Sequence, residues 1–380
     1  MAQSETNRAK VRYSRETAWG ETVNGPATTE LRITSEGLQH EKQTVVSQEI
    51  RSDRQRADVL EVGQAASGPV NFELSWSDFE TFFETALRGA IVSTVEAVVS
   101  TTFTSTTITG AVGADYTPFE VGQWFRINAN GYARDNAVAR VVSRSSTVIT
   151  FTGTTLVAGV ASCNVVGRTL KNGTTKSSFF IETDFDDLTA VKYFNGARID
   201  SMALNIQSAQ IVTGVFNFQA KRGFTASTSQ ASTTASAGSN TPLTAAVNVL
   251  TLRENDTLLS PGVAGITINL ANNMRQRPQV GSKTTANPGD GGIDITGQLN
   301  AFFEDISLYN KMIGHTASDL TIPLKDANNN QIIISIPAIH FAAGDPTIPG
   351  QDQDVFLPLD FLGFRDSVTN TTIRIDFLPI

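Results

Sequence analysis

Three histidines, two pairs of aspartates and one cysteine are the side chains of this 380-residue chain best suited to chemistry. His40 stands in a polar stretch, His315 at the expected end of a helix and His340 inside an apolar strand, so no spacing suggests a metal site or a nucleophile with its base. Asp186/Asp187 and Asp352/Asp354 can be drawn as general acid and base. Each pair lies in a loop-like context without a partner histidine and reads as solvated turn carboxylates. Cys163 has no second cysteine to pair with, and its apolar neighbours suggest a buried thiol. Neither a Gly-rich phosphate loop after a strand nor Gly-x-Ser-x-Gly occurs, so no enzyme and no cofactor is expected.

One polar run offers chemistry of another kind. Residues 39–58 are nearly all polar, and their charges alternate in sign through Glu41, Lys42, Glu49, Arg51, Asp53, Arg54, Arg56 and Asp58. Long loops inside compact domains are usually functional or disordered. Two readings follow: a solvated charged hairpin, or a loop that pairs with another copy of the same protein. The candidate contact residues are Glu41, Lys42, Glu49, Arg51, Asp53, Arg54 and Arg56.

The elements that must position this run are stated twice. Gly68 and Pro69 precede an alternating strand, Val70 to Leu74, and a helix expected from Ser75 carries Phe79, Phe82, Phe83, Ala86 and Leu87 to Gly89. Gly292 to Gly297 then repeat the strand, and a helix is expected to carry Leu299, Phe302, Phe303, Ile306, Tyr309, Met312 and Ile313 to Gly314. Ser75 or Ser77 is the expected cap of the first helix, and the two glycines the expected left-handed stops. Strand pairs follow in both halves: 197–206 with 211–220, and 332–341 with 355–361. Pro337 and Pro358 fall inside the second pair, which requires an edge, a bulge or an unneeded amide there. A strand–helix unit repeated at long period points to duplication.

Composition breaks divide the chain further. Residues 226–241 are Ala/Ser/Thr-rich without a large apolar side chain and read as a linker, while 101–169 hold short Thr/Val/Ile strands around Phe119-Glu-Val-Gly-Gln-Trp-Phe-Arg-Ile127. Roughly seventy residues suffice for a small β-barrel core. The expected division is an N-terminal arm (1–29), a first β-domain (30–100 and 170–225), the inserted barrel (101–169), a linker (226–262) and a second β-domain (263–380). No run reaches the roughly 18 apolar residues of a membrane span, and the N-terminus lacks a signal-peptide core, so cytosolic synthesis is expected. With 29 basic and 37 acidic residues, the net charge of −8 has the wrong sign for tight binding to nucleic acid.

Several of these phrases together resemble the major tail tube proteins of long-tailed bacteriophages with flexible, non-contractile tails. The carriers are residues 31–55, the 68–89 phrase, Ile211-Val-Thr-Gly-Val-Phe-Asn-Phe218 and Leu299-Asn-Ala-Phe-Phe-Glu-Asp305. The resemblance implies a mainly β chain with a few helices: two tandem tail-tube domains of orthogonally packed sheets with a flanking helix, contributing to a ring β-barrel. The insertion looks like a peripheral decorating domain. It further implies a structural virion protein, assembled in the host cytoplasm, that stacks as rings into the tail tube through which genomic DNA passes. Related single-domain subunits form hexameric rings, so a duplicated chain implies a homotrimer with pseudo-sixfold symmetry, a hexamer being the alternative. The tape measure protein, tail terminator and distal tail proteins are the implied partners, without membrane insertion. Arg51, Asp53, Arg54 and Arg56 are the expected stacking contacts, helped by the N-terminal arm. Unequal length departs from the pattern, because the second half replaces the charged run with the shorter stretch 272–291. The competing reading is a β-rich tail-tip, baseplate or fibre protein whose barrel grips a host receptor through Trp124 and Tyr132.

Overall fold

The computed structural model describes residues 4–21, 25–111, 113–128, 135–260 and 262–380; Tyr132 and the first three residues of the expected arm lie outside these. Strands β1 (Ala9–Arg15), β2 (Ala27–Glu30) and β3 (Ser35–Glu36) lead into a long hairpin of β4 (Gln39–Val46) and β5 (Val59–Glu73). Helix α1 (Glu80–Ala86) is followed by β6 (Val92–Phe103), β7 (Thr107–Thr109), β8 (Trp124–Asn128), β9 (Ala137–Arg144), β10 (Val148–Thr152) and β11 (Gly159–Lys171). These six strands pair in the cycle β6–β7–β10–β9–β8–β11–β6, a closed barrel around Phe125, Ile127, Ile149 and Val165.

The chain then continues through β12 (Phe179–Phe185), β13 (Ala190–Gln207), β14 (Thr213–Ala220), β15 (Arg222–Ala226) and β16 (Thr233–Ala235). The stretch read as a linker is laid along the first repeat, where β16 runs parallel to β2. After α2 (Ala245–Asn248), β17 (Arg253–Glu254) and β18 (Thr257–Leu258) come β19 (Val263–Ala271), β20 (Asp294–Phe302), α3 (Ser307–Ile313), β21 (Ser318–Lys325), β22 (Gln331–Ala343), β23 (Phe356–Gly363) and β24 (Arg374–Leu378).

Duplication is visible in the pairing. The first repeat runs β4–β5–β14–β13 and the second β19–β20–β23–β22. The last strand of one joins the first of the other, from Ser201 opposite Ala271 to Gln207 opposite Gly265. Strand β14 shows why these residues form a sheet: Gly214, Phe216, Phe218 and Ala220 face the core at period two.

Both long strands change sheets midway. Residues 190–197 of β13 pair with β12 and β15, and residues 198–207 with β14 and β19. Gly196 sits at the corner with φ +70°, and a Cβ there would lie 2.9 Å from the Trp19 indole nitrogen, so the bend requires glycine. Strand β22 bends likewise, and Pro337 occupies the bulge where its register against β21 shifts. Pro358 pairs with Asn300 on one side and lies beyond the last pairing of β23 with β22 on the other.

The helices depart from expectation. Helix α1 starts at Glu80, after a turn in which Ser77 takes φ 61°, and neither Ser75 nor Ser77 caps it; Ser75 Oγ instead donates to Asp78, 2.5 Å away. Leu299 and Phe302 belong to β20, and α3 begins only at Ser307, whose amide donates to Asp305 at 2.7 Å. Nor are the glycines the left-handed stops: those are Arg88 (φ 52°) and His315 (φ 47°). Gly89 is required for a different reason, since a Cβ would approach the Lys171 carbonyl to 2.2 Å. Both helices close alike, with the amide of Gly89 donating to Glu84 and that of Thr316 to Lys311, each at 3.0 Å. This shared closure makes residues 80–88 and 307–315 structural equivalents.

Candidate self-assembly surfaces

The β4–β5 hairpin carries all seven candidate contact residues. Glu41 and Lys42 lie on β4, and Glu49, Arg51, Asp53, Arg54 and Arg56 in the connecting segment, all exposed. Arg51 and Asp53 are already paired with each other, Nη2 to Oδ2 at 2.7 Å, and Glu41 accepts from Ser67. No ion pair holds Lys42, Glu49, Arg54 or Arg56 among the described residues, which leaves their charges available to another chain. A signal missed in the sequence is apolar: Val45, Ile50, Val59, Leu60 and Val62 are exposed on the same ribbon, Ile50 almost completely at 99%. A two-stranded ribbon with no core beneath it and an apolar surface is poorly suited to standing alone in water.

The second repeat has the stretch 272–291 where the first has this ribbon, and it docks on the first repeat. The Asn272 amide donates to the Asp200 carbonyl at 2.7 Å, the Met274 amide to Asp200 Oδ1 at 2.9 Å and the Gln64 amide to the Lys283 carbonyl at 2.7 Å. Asp290 then accepts from Arg198 through both oxygens, at 2.8 and 2.9 Å, and from Arg88 at 3.2 Å. Burial and the like charge of Arg198 bring the Arg88 guanidinium down to about 10. Burial acts to raise the Asp290 carboxyl, but Arg88 and Arg198 outweigh it and hold it below the usual range.

The inserted barrel is clamped to the second repeat. Residues Thr169–Lys171 of β11 pair with β24, Arg126 donates to the Leu378 carbonyl at 3.2 Å, and Arg374 donates to Glu120 at 2.8 Å. Trp124, only 5% exposed, packs on Ile333 and Leu378 with its indole N–H on Ser335 at 3.2 Å, so it is no platform for a saccharide. Asp376 is fully buried at this seam and accepts from the Trp124 amide at 3.2 Å. Burial pushes its carboxyl up to about 7, against the pull of Arg374. The folded state therefore favours the neutral acid: its contribution is fully present below about pH 4 and lost as pH rises through about 7. Asp376→Asn is expected to raise the melting temperature at pH 8 and flatten its fall from pH 5. A wild-type melting temperature that does not fall over that range contradicts this.

The other residues singled out in the sequence have structural partners. Lys10 lies 2.6 Å from Asp186 and the Glu5 amide 2.7 Å from Asp187, which holds both carboxyls low and pins the N-terminal segment. Asp352 is exposed at φ 59° and Asp354 is exposed, both in the loop before β23. Cys163 is buried in the barrel. His40 Nδ1 accepts from the Gly223 amide at 3.2 Å. His315 and His340, read as separate, are in fact stacked, with ring centroids 4.0 Å apart and His340 also on Phe364 at 4.9 Å. Among the described residues no group of three or more His, Cys, Asp or Glu could hold a metal, and no helix is long and apolar enough to cross a membrane. A family model described as phage tail tube protein matches residues 6–363. No curated protein matches the chain.

Proposed function

Because the chain belongs to the phage tail tube protein family, we propose that three copies close into a ring with six quasi-equivalent lobes, and that such rings stack into the tube through which genomic DNA passes. The observation that carries this reading is the β13–β19 junction. It joins the end of one four-stranded repeat to the start of the next, and the same junction made between chains uses the two edges left over: residues 31–39 beside β5, and the end of β22. Edge pairing of this kind removes unpaired ladders that otherwise invite aggregation. Division into two tube domains, 30–100 with 170–225 and 263–380, follows the two repeats. The inserted barrel and the segment read as an arm belong to the outer part of each subunit.

Stacking falls to the β4–β5 ribbon. Its unpaired Lys42, Glu49, Arg54 and Arg56 fix register, its apolar residues supply burial, and repetition around the ring multiplies a weak contact. The net charge of −8 lets DNA slide past without counterion-release affinity. Tape measure, terminator and distal tail proteins remain the partners at the tube's interior and ends, with assembly in the host cytoplasm. The buried Trp124 counts against receptor binding by the barrel. Electron microscopy of the purified protein, averaged down the particle axis, tests the reading: three chains with six lobes are expected, six chains per ring overturn the trimer, and particles that never stack overturn the tube.

A further inference from the structure

The surface around α3 is a copy of one that is already occupied elsewhere in the same chain. Helix closure makes Ala86 equivalent to Ile313 and Arg88 equivalent to His315. Pairing within the repeats makes Ile199 equivalent to Ile339, so His340 stands where the first repeat has the bulge of Asp200 and Ser201, and Gln219 corresponds to Phe364. In the first repeat this surface is covered by the second: Asn272 donates to the Ala86 carbonyl at 3.0 Å, Asp200 receives the Met274 amide, and Gln219 accepts from Gln276 at 2.9 Å. Ala86 is accordingly 0% exposed. In the second repeat nothing among the described residues takes that place, and Ile313 is 63% exposed. His340 Nδ1, buried, has no hydrogen-bond partner among the described residues.

We propose that Ile313, His315, His340 and Phe364 form the socket for a second copy of this chain, and that its occupant is the root of the neighbour's β4, His40 to Lys42. The proposal rests on the ring reading and assigns it a specific joint. The occupant follows from register: residues 31–39 stand to β5 as residues 263–271 stand to β20, which makes His40 the counterpart of Asn272 and Lys42 that of Met274. The neighbour's Lys42 then meets the stacked His315–His340 pair where Met274 meets the Asp200–Ser201 bulge. Within one chain this contact cannot form, because β4 and β22 are the outer strands of an eight-strand order, seven spacings or about 33 Å apart. The joint between chains also differs in kind from the joint within one: stacked imidazoles and an isoleucine replace two arginines on a carboxylate.

The test is a Lys42→Cys/His340→Cys chain treated with a short bismaleimide, together with Ile313→Asp. Cys163 is buried and serves as the background control in the unsubstituted protein. Cross-linked dimers and trimers of chains, formed only with both cysteines, are expected. Ile313→Asp, at an exposed site, is expected to keep the wild-type melting temperature and to lower the ring population at least tenfold. Rings of the Lys42→Cys/His340→Cys chain that form but do not cross-link, or Ile313→Asp rings at wild-type abundance, overturn the socket and leave the ring reading intact. Wild-type chains that never form rings overturn both.

Discussion

Replacing residues 47–58 with an Asn-Gly turn is expected to yield rings of normal size that do not stack. Val46 faces Val59 in the last paired step of β4 with β5, so a two-residue turn closes the hairpin without disturbing the sheet below. What is lost is the projecting tip: Ile50, and with it Glu49, Arg51, Asp53, Arg54 and Arg56. Full burial of one large aliphatic side chain is worth roughly 1.5–3 kcal/mol. Exposed ion pairs contribute about 0–1 kcal/mol each. The apolar part of the proposed contact therefore outweighs the charged part, and in the proposed trimer three such tips per ring would give a cooperative seam. A milder variant separates the terms. Arg54→Glu with Arg56→Glu should shift the onset of polymerisation and change its dependence on ionic strength, whereas Ile50→Asp should weaken stacking at every salt concentration. Sedimentation of assembled material and tube lengths in negative stain read both; full-length tubes from the turn variant remove the tip from the stacking contact.

Much of this architecture was legible in the sequence, and the parts that were not share a cause. The strand–helix phrase was visible because Phe72 lies on a run that alternates at period two and Phe79, Phe82 and Phe83 follow at helical spacing, and all four pack into one core. The barrel was visible as clustered short β-branched runs. Helix boundaries were misplaced because the period of an aromatic stripe does not say where a turn ends: Phe302 lies at the end of a strand, 4.7 Å from Phe356 across the sheet, and not on a helix. The apolar side of the β4–β5 ribbon was hidden among charges, since Val45, Ile50 and Leu60 are too widely spaced to form a pattern. The histidine stack was hidden by distance, because only the fold brings residues 315 and 340 together. Nothing local distinguishes Asp290 from any other loop aspartate, for the arginines that give it meaning are 92 and 202 positions away.

Asp290→Ala is expected to cost about 3–5 kcal/mol, because it leaves the Arg88 and Arg198 guanidiniums buried without a counter-charge. Arg198 keeps Asn287 Oδ1 at 3.1 Å and the Pro288 carbonyl at 3.0 Å, but neither oxygen carries a full charge. Loss of the pair should free residues 272–291 from the first repeat before the core unfolds, so hydrogen exchange at the Gln64 and Asn272 amides should accelerate more than exchange in β14. The wild-type pair also sets an acid limit. Since the fold holds the Asp290 carboxyl below its usual range, the stability it contributes is present above the unfolded value of about 4 and is lost as pH falls below that. Asp290→Ala should therefore melt lower at pH 7 and fall less steeply from pH 5 to pH 3. Arg88→Met placed in the Asp290→Ala background should recover part of the loss by removing one stranded charge, which a mere packing role for Asp290 does not explain. A loss under about 1 kcal/mol would mean that solvent reaches the guanidiniums, and that the β13–β19 ladder alone joins the two repeats.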